Sequence, residues 1–162
     1  MPRTRDEPEV RRLVEHLAML FNDLGMPRMP ARVMFAVAAA ESDGLTAAEL
    51  SEQLGVSPAA VSGAVRYLAP LGMLTKVPIP GSRRDVYRLT SNLWYEAGFT
   101  RSEPLRQAAE LARQAASAVG GRRTAAGERL AEMSDFFAFL VDQMPAMLET
   151  WRKHKAELGY ET

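Results

Sequence analysis

The side chains best equipped for chemistry in this chain are donors of hydrogen bonds and positive charge, not nucleophiles or metal ligands. Arg83 and Arg84 are adjacent, and Ser57, Ser62 and Arg66 fall within one ten-residue stretch, separated by the small residues Ala59, Ala60 and Gly63. A guanidinium can engage a guanine O6/N7 pair or a phosphate, and a serine hydroxyl can donate to a phosphate or a base edge. Catalytic sets are missing by comparison. There is no cysteine, so disulfides and thiolate metal sites are impossible. Histidine occurs only at His16 and His154, neither with a metal-ligand partner four residues on. No glycine-rich phosphate loop is present, and Glu128 with Glu132 reads as a solvated pair on one helix face. No enzyme, cofactor or metal is expected without a convergent site.

Those donors must be held by the elements around them. Thr46 with Glu49 three residues later is a capping box, which starts a helix through Leu50 and Leu54. Gly55 supplies a left-handed stop, Val56 plugs the turn, and Ser57 with Pro58 opens a second helix almost at once. In that helix Val61, Val65 and Leu68 line the inner face, and Ala59, Ala60, Ser62, Gly63 and Arg66 the outer one. Gly63 in mid-helix costs roughly 1 kcal/mol relative to alanine, which close approach of another backbone would justify. Strands are predicted over Met73–Val77 and Asp85–Leu89, with Pro80-Gly81 at the centre of a type II turn and Ser82, Arg83 and Arg84 at the tip. A helix pair followed by a basic hairpin is a winged helix-turn-helix, its second helix suited to a major groove and its arginine tip to a minor groove.

The 162 residues carry no net charge, 47% are hydrophobic, and no apolar run reaches membrane-spanning length. With no secretory signal at the N-terminus, a cytoplasmic protein is expected. From Val56 to Leu89, however, five bases stand against one acid, a net +4, whereas Glu128 to Thr162 carries a net −3 from seven acids and four bases. A first helix is predicted over Asp6–Leu24, with Val10, Leu13, Val14, Leu17, Phe21 and Leu24 as its stripe. A second is predicted from Pro30 to Ala40, with Val33, Met34 and Val37 inward. Ser102 and Pro104 start another helix that reaches Val119. The last begins near Thr124 after the Gly120-Gly121 break. On that last helix Leu130, Met133, Phe137, Leu140, Met144, Met147 and Trp151 alternate by three and four, the spacing of a helix-pairing seam that could meet a second chain or pack on the first helix of the same chain. Pro145 is expected to kink or interrupt it after Met144. The reading is a mainly α fold with a small β-hairpin wing, divided into a dimerisation helix (1–26), a winged helix-turn-helix domain (27–90) and a helical dimerisation region (91–162).

The segments Gly25–Val33, Leu45–Leu74 and Val77–Leu89 resemble the MarR superfamily of winged helix-turn-helix regulators, and more closely its GbsR-like branch. The resemblance covers residues 10–90 well and extends beyond them as a similar helical plan. It implies a homodimeric, ligand-responsive repressor that binds a pseudo-palindromic double-stranded DNA operator. Helices from both chain ends would form the dimer. It carries Ser57, Ala60, Ser62 and Arg66 into a recognition helix, and Arg83 and Arg84 into a wing. Many members have Asp-Arg-Arg at the wing, where the aspartate braces an arginine. Ser82 takes that place here, and Asp85 is the candidate substitute. A small-molecule effector would lie against Trp94, Tyr95, Phe99, Met133, Phe136, Phe137 and Phe139, residues that packing alone also explains. The competing function is a winged domain that binds an acidic protein partner instead of DNA.

Overall fold

A computed structural model of the chain describes residues 5–90 and 102–160. The chain divides into two compact units, Met1–Tyr95 and Glu96–Thr162. In the first, helix α1 (Glu7–Asp23) is capped by Asp6, whose carboxylate accepts from the Glu9 backbone N–H. Helix α2 (Arg28–Ala38) begins two residues before Pro30, which lies inside its first turn, where a missing N–H leaves no gap. This helix is the hub of the unit: Pro30, Ala31, Val33, Met34, Ala36 and Val37 are all buried. Around it pack α3 (Ala47–Leu54) and α4 (Pro58–Leu68), which bring Leu50, Leu54, Val61, Ala64 and Leu68 into one core. Leu50, Leu68, Val33 and Val61 are fully buried, each contributing roughly 1.5–3 kcal/mol by leaving water. Phe21 of α1 meets Phe35 of α2 edge to face at 4.8 Å, which fixes α1 on this core.

Strands β2 (Leu74–Pro78) and β3 (Asp85–Leu89) form the expected antiparallel hairpin, in register Leu74 with Leu89 and Pro78 with Asp85. At its end Ser82 N–H donates to the Ile79 carbonyl across Pro80-Gly81, and Gly81 takes φ +76°, as a type II turn requires. One strand is not foreseen from the sequence. β1 (Leu45–Thr46) pairs with the other edge of β3, giving a three-stranded sheet in the order β1-β3-β2. Gly44 permits that approach: a Cβ there would lie 2.5 Å from Val86 Cγ1 and 2.6 Å from the Tyr87 carbonyl oxygen.

The second unit is a helical hairpin. Helix α5 (Glu103–Ala118) and helix α6 (Ala125–Glu157) are joined by the positive-φ pair Gly120-Gly121 and a single 3-10 turn, Gly121–Arg123. Ser102 does not cap α5 through its side chain; Thr124 does cap α6, accepting from Gly127 N–H. Residues Gly127, Ala131 and Ser134 of α6 are buried, and Ser134 Oγ donates to the Ala109 carbonyl of α5 at 2.8 Å. Helix α6 is continuous through Pro145, so the interruption expected after Met144 is absent. The buried positions Gly127, Ser134, Val141, Leu148 and Lys155 recur every seventh residue, so they form a stripe separate from the predicted seam. At 3.6 residues per turn the two stripes are centred roughly 70° apart, so Leu130, Phe137, Leu140, Met144 and Trp151 flank the buried stripe and are themselves half-buried. Met133 and Met147 of the seam remain 49% and 50% exposed.

Candidate nucleic-acid interface

Helix α4 owes its sharp start to two consecutive caps. Thr46 and Glu49 close a full capping box on α3: Thr46 N–H donates to Glu49 Oε2 at 2.7 Å, and Glu49 N–H donates to Thr46 Oγ1 at 3.3 Å. The hydrogen bonds from Thr46, backbone first, hold the Glu49 carboxyl below the usual carboxylate range, and the positive charge of Arg84 adds to the effect. Gly55 then takes φ +62° and ends α3. Ser57 Oγ accepts from Ala60 N–H at 3.2 Å, with Pro58 at the first helical position. This cap occupies an acceptor of Ser57, and its hydroxyl proton stays available to a partner.

On α4 the residues Ser57, Ala59, Ser62 and Arg66 are exposed, and Ala60 and Gly63 are half-buried. The inner face is Val61, Ala64 and Leu68, with Val65 only partly covered. A Cβ built on Gly63 would meet nothing within 4 Å, so no neighbour within the chain requires glycine there. Tyr67, 40% exposed beside Arg66, flanks the outer face and was not singled out from the sequence; an exposed phenol next to an arginine was the available signal.

The wing places Ser82, Arg83 and Arg84 at an exposed tip. Ser82 Oγ accepts from Arg84 N–H at 3.0 Å and so shapes the turn through the backbone. Asp85 braces neither arginine. It pairs with Lys76 on the facing strand at 3.0 Å, and this pairing raises the Lys76 pKa. Arg88 is likewise matched, by Asp43 at 3.0 Å. The net +4 read along the segment is therefore partly neutralised on the surface. Among the described residues of that segment Arg66, Arg83 and Arg84 form no ion pair, and Arg84 is close enough to Glu49 for its charge to act on that carboxyl.

Of the aromatic and methionine set expected around an effector, Trp94, Tyr95 and Phe99 lie outside the described residues. Met133, Phe136 and Phe139 are exposed on α6, and Phe137 is half-buried with its ring 6.1 Å from that of Phe136. A surface cavity of about 290 Å³ in this unit is lined instead by residues that include Arg113, Ser117, Arg122 and Ser134. Among the described residues no group of three or more His, Asp or Glu side chains could hold a metal, and no helix is long and apolar enough to cross a membrane.

Comparison with known proteins matches these elements to one kind of protein. Residues 24–85 match the MarR family model, and residues 92–154 match the model of the MmpR5-like MarR family transcriptional regulators. The chain carries MarR-family regulator domains. The HTH-type transcriptional regulator MmpR5 of Mycobacterium tuberculosis is 22% identical over 151 residues, spanning 93% of this chain and 92% of that protein. A crystal structure described as a transcriptional regulator superposes with a TM-score of 0.77 at 21% identity, covering 90% of this chain and 99% of its own, which shows the shared fold. The family is one of transcriptional regulators, not enzymes. The GbsR-like branch suggested by residues 25–89 finds no counterpart in these matches, whose finer description is MmpR5-like.

Proposed function

We propose that this chain is a homodimeric, ligand-responsive MarR-type repressor that binds a pseudo-palindromic DNA operator. Residues 27–90 act as the reading head, and 1–26 and 91–162 as dimerisation segments. The observation that carries the reading is the outer face of α4: small, free of acids, exposed at Ala59, Ser62 and Arg66, with Arg66 in no ion pair and glycine at 63 where nothing in the chain demands it. Ser57, Ala59, Ala60, Ser62, Gly63 and Arg66 would lie in a major groove, with Arg83 and Arg84 against an adjacent minor groove or the backbone.

Two apolar stripes support the dimer. On α1 and its C-cap, Leu13, Leu17, Leu20 and Leu24 are exposed and alternate by four and three, while Val14 and Ala18 face inward. On α6 Met133 and Met147 of the seam are exposed, beside half-buried Leu130, Phe137, Leu140, Met144 and Trp151. Isolated helices do not keep such seams in water; a second chain would cover them. The aromatic residues named above remain the proposed effector contacts. Within the superfamily, the motifs of residues 25–89 favour a GbsR-like head. The protein would act in the cytoplasm, where its operator is.

In vitro selection of bound fragments from the host genome, at moderate salt, tests the reading. Enrichment of a two-fold symmetric sequence, with affinity falling steeply as salt rises, supports it. Failure to select any sequence favours the adaptor function, with the arginines docking an acidic protein.

A further inference from the structure

One guanidinium ties three helices of the first unit together. Arg32 of α2 is largely buried, its side chain only 17% exposed. Its Nε donates to Glu15 Oε1 of α1 at 2.6 Å, and its Nη2 donates to the Leu54 carbonyl of α3 at 2.9 Å. Nη1 lies 3.5 Å from Met29 Sδ, and Arg28 approaches the second oxygen of Glu15 at 3.8 Å. Leu54 is the last residue of α3, and its carbonyl is among those a helix end leaves without an internal partner. The Ser51 and Glu52 carbonyls are taken by Val56 and Gly55 within the turn, whereas Leu54 is taken from outside it. Three residues after Leu54, Ser57 starts α4.

We propose that Glu15 and Arg32 are positioning residues that set the angle of the recognition helix relative to α1, and through it the spacing of the two half-sites the dimer accepts. The inference rests on the dimeric DNA-binding reading above. The rigid fork of arginine lets one side chain hold a carboxylate on α1 and a carbonyl at the helix-turn-helix corner at once, which lysine cannot do. The other face of α1 carries the exposed Leu13, Leu17, Leu20 and Leu24 stripe assigned to the dimer. The clamp therefore stands between the element that meets the second copy and the element that meets the groove. The apolar packing of Val14, Ala18 and Phe21 holds α1 on the core without it; the clamp removes the remaining rotation.

The test uses a set of operators with identical half-sites and varied spacers, measured with the full chain and with Glu15→Gln, Arg32→Lys and Arg32→Met. Wild type should discriminate the best spacer from its neighbours by about tenfold or more. Glu15→Gln and Arg32→Met should narrow this to about threefold or less, with the base preference within a half-site and the cooperative melt both retained. Arg32→Lys, which keeps the charge and loses the fork, should also relax spacing. A merely structural role would lower affinity for every spacer alike. Folded variants that keep the wild-type spacing profile overturn the proposal. Should Arg32→Met not fold, Glu15→Gln leaves the Leu54 bond in place and decides the matter. Wild type that binds no DNA refutes the regulator reading instead, a result distinct from either.

Discussion

Gly63→Ala separates stability from function at one atom. In the folded chain the added methyl meets nothing within 4 Å, so it neither clashes nor gains burial. What remains is backbone entropy: alanine in a helix interior is favoured over glycine by about 0.5–1 kcal/mol. For a unit of this size that raises the melting temperature by roughly 2–8 °C. The same methyl stands on the outer face of α4, between Ala59 and Arg66. A groove seated against the glycine backbone must retreat to admit it, and a penalty of about 1.4 kcal/mol lowers affinity tenfold. The expected result is a more stable protein that binds its operator at least about tenfold more weakly, with Gly63→Val weaker still. Calorimetry and fluorescence anisotropy on the same preparations measure both quantities. A variant that gains the stability and binds operator as wild type does would show that nothing approaches Gly63 closely, and the groove-facing assignment of α4 would fail with it.

Arg83→Ala with Arg84→Ala should weaken binding and reduce the slope of log affinity against log salt by about one for each phosphate left without its guanidinium; Lys76→Ala, whose charge is already matched by Asp85, should change the slope little. Thr46→Ala should cost about 1 kcal/mol by opening the capping box, read by chemical denaturation. Because Glu49 titrates below its unfolded value, its contribution is present above the ordinary carboxylate range and lost as pH falls through the depressed value. Glu49→Gln, which can still close the box, should flatten that acid limb; an unchanged acid limb would assign it to other carboxylates. Gly127→Ala should destabilise the α5–α6 hairpin by about 1–3 kcal/mol or more, since its methyl would lie 2.0 Å from the Gly121 carbonyl oxygen. Met133→Glu with Met147→Glu should yield monomers in sedimentation with the helical content of each chain kept, because both side chains are half exposed within the chain.

What could be read from the sequence was local. Thr46-Glu49, Gly55 and Ser57-Pro58 act over three or four residues each, so the caps and the corner between α3 and α4 were recoverable from residue types alone. Pro80-Gly81 marked the hairpin for the same reason. What escaped depended on distant partners. Two residues of β1 show no alternation, and only the pairing with Val86 and Tyr87 makes them a strand. Asp85 was assigned to an arginine beside it in sequence, whereas the hairpin register carries it to Lys76 across the sheet. Arg32 reaches partners 17 and 22 residues away, and no motif announces that.

Helix α6 shows how periodicity can mark a stripe of large residues and leave its partner undetermined. The three-four alternation from Leu130 to Trp151 is visible because leucine, methionine and phenylalanine are large. The stripe that α6 buries begins with Gly127, Ala131 and Ser134, which a search for large apolar residues passes over. Small residues on α6 meet a correspondingly small face of α5, where Ala109 accepts the Ser134 hydroxyl and Ala116 is buried, and this is what permits the two helices to approach closely. With that approach made by small side chains, the large ones at Met133 and Met147 are not needed to close the hairpin. A helix that buries Gly127, Ala131, Ser134, Val141 and Leu148 and still exposes Met133, Phe136, Phe139 and Met147 has apolar surface available to a partner. The same division recurs on α1, where Val14 and Ala18 face the core and four leucines do not. The two helices lie in separate units, and a second copy of the chain, proposed above as the dimer partner, would supply both stripes at once.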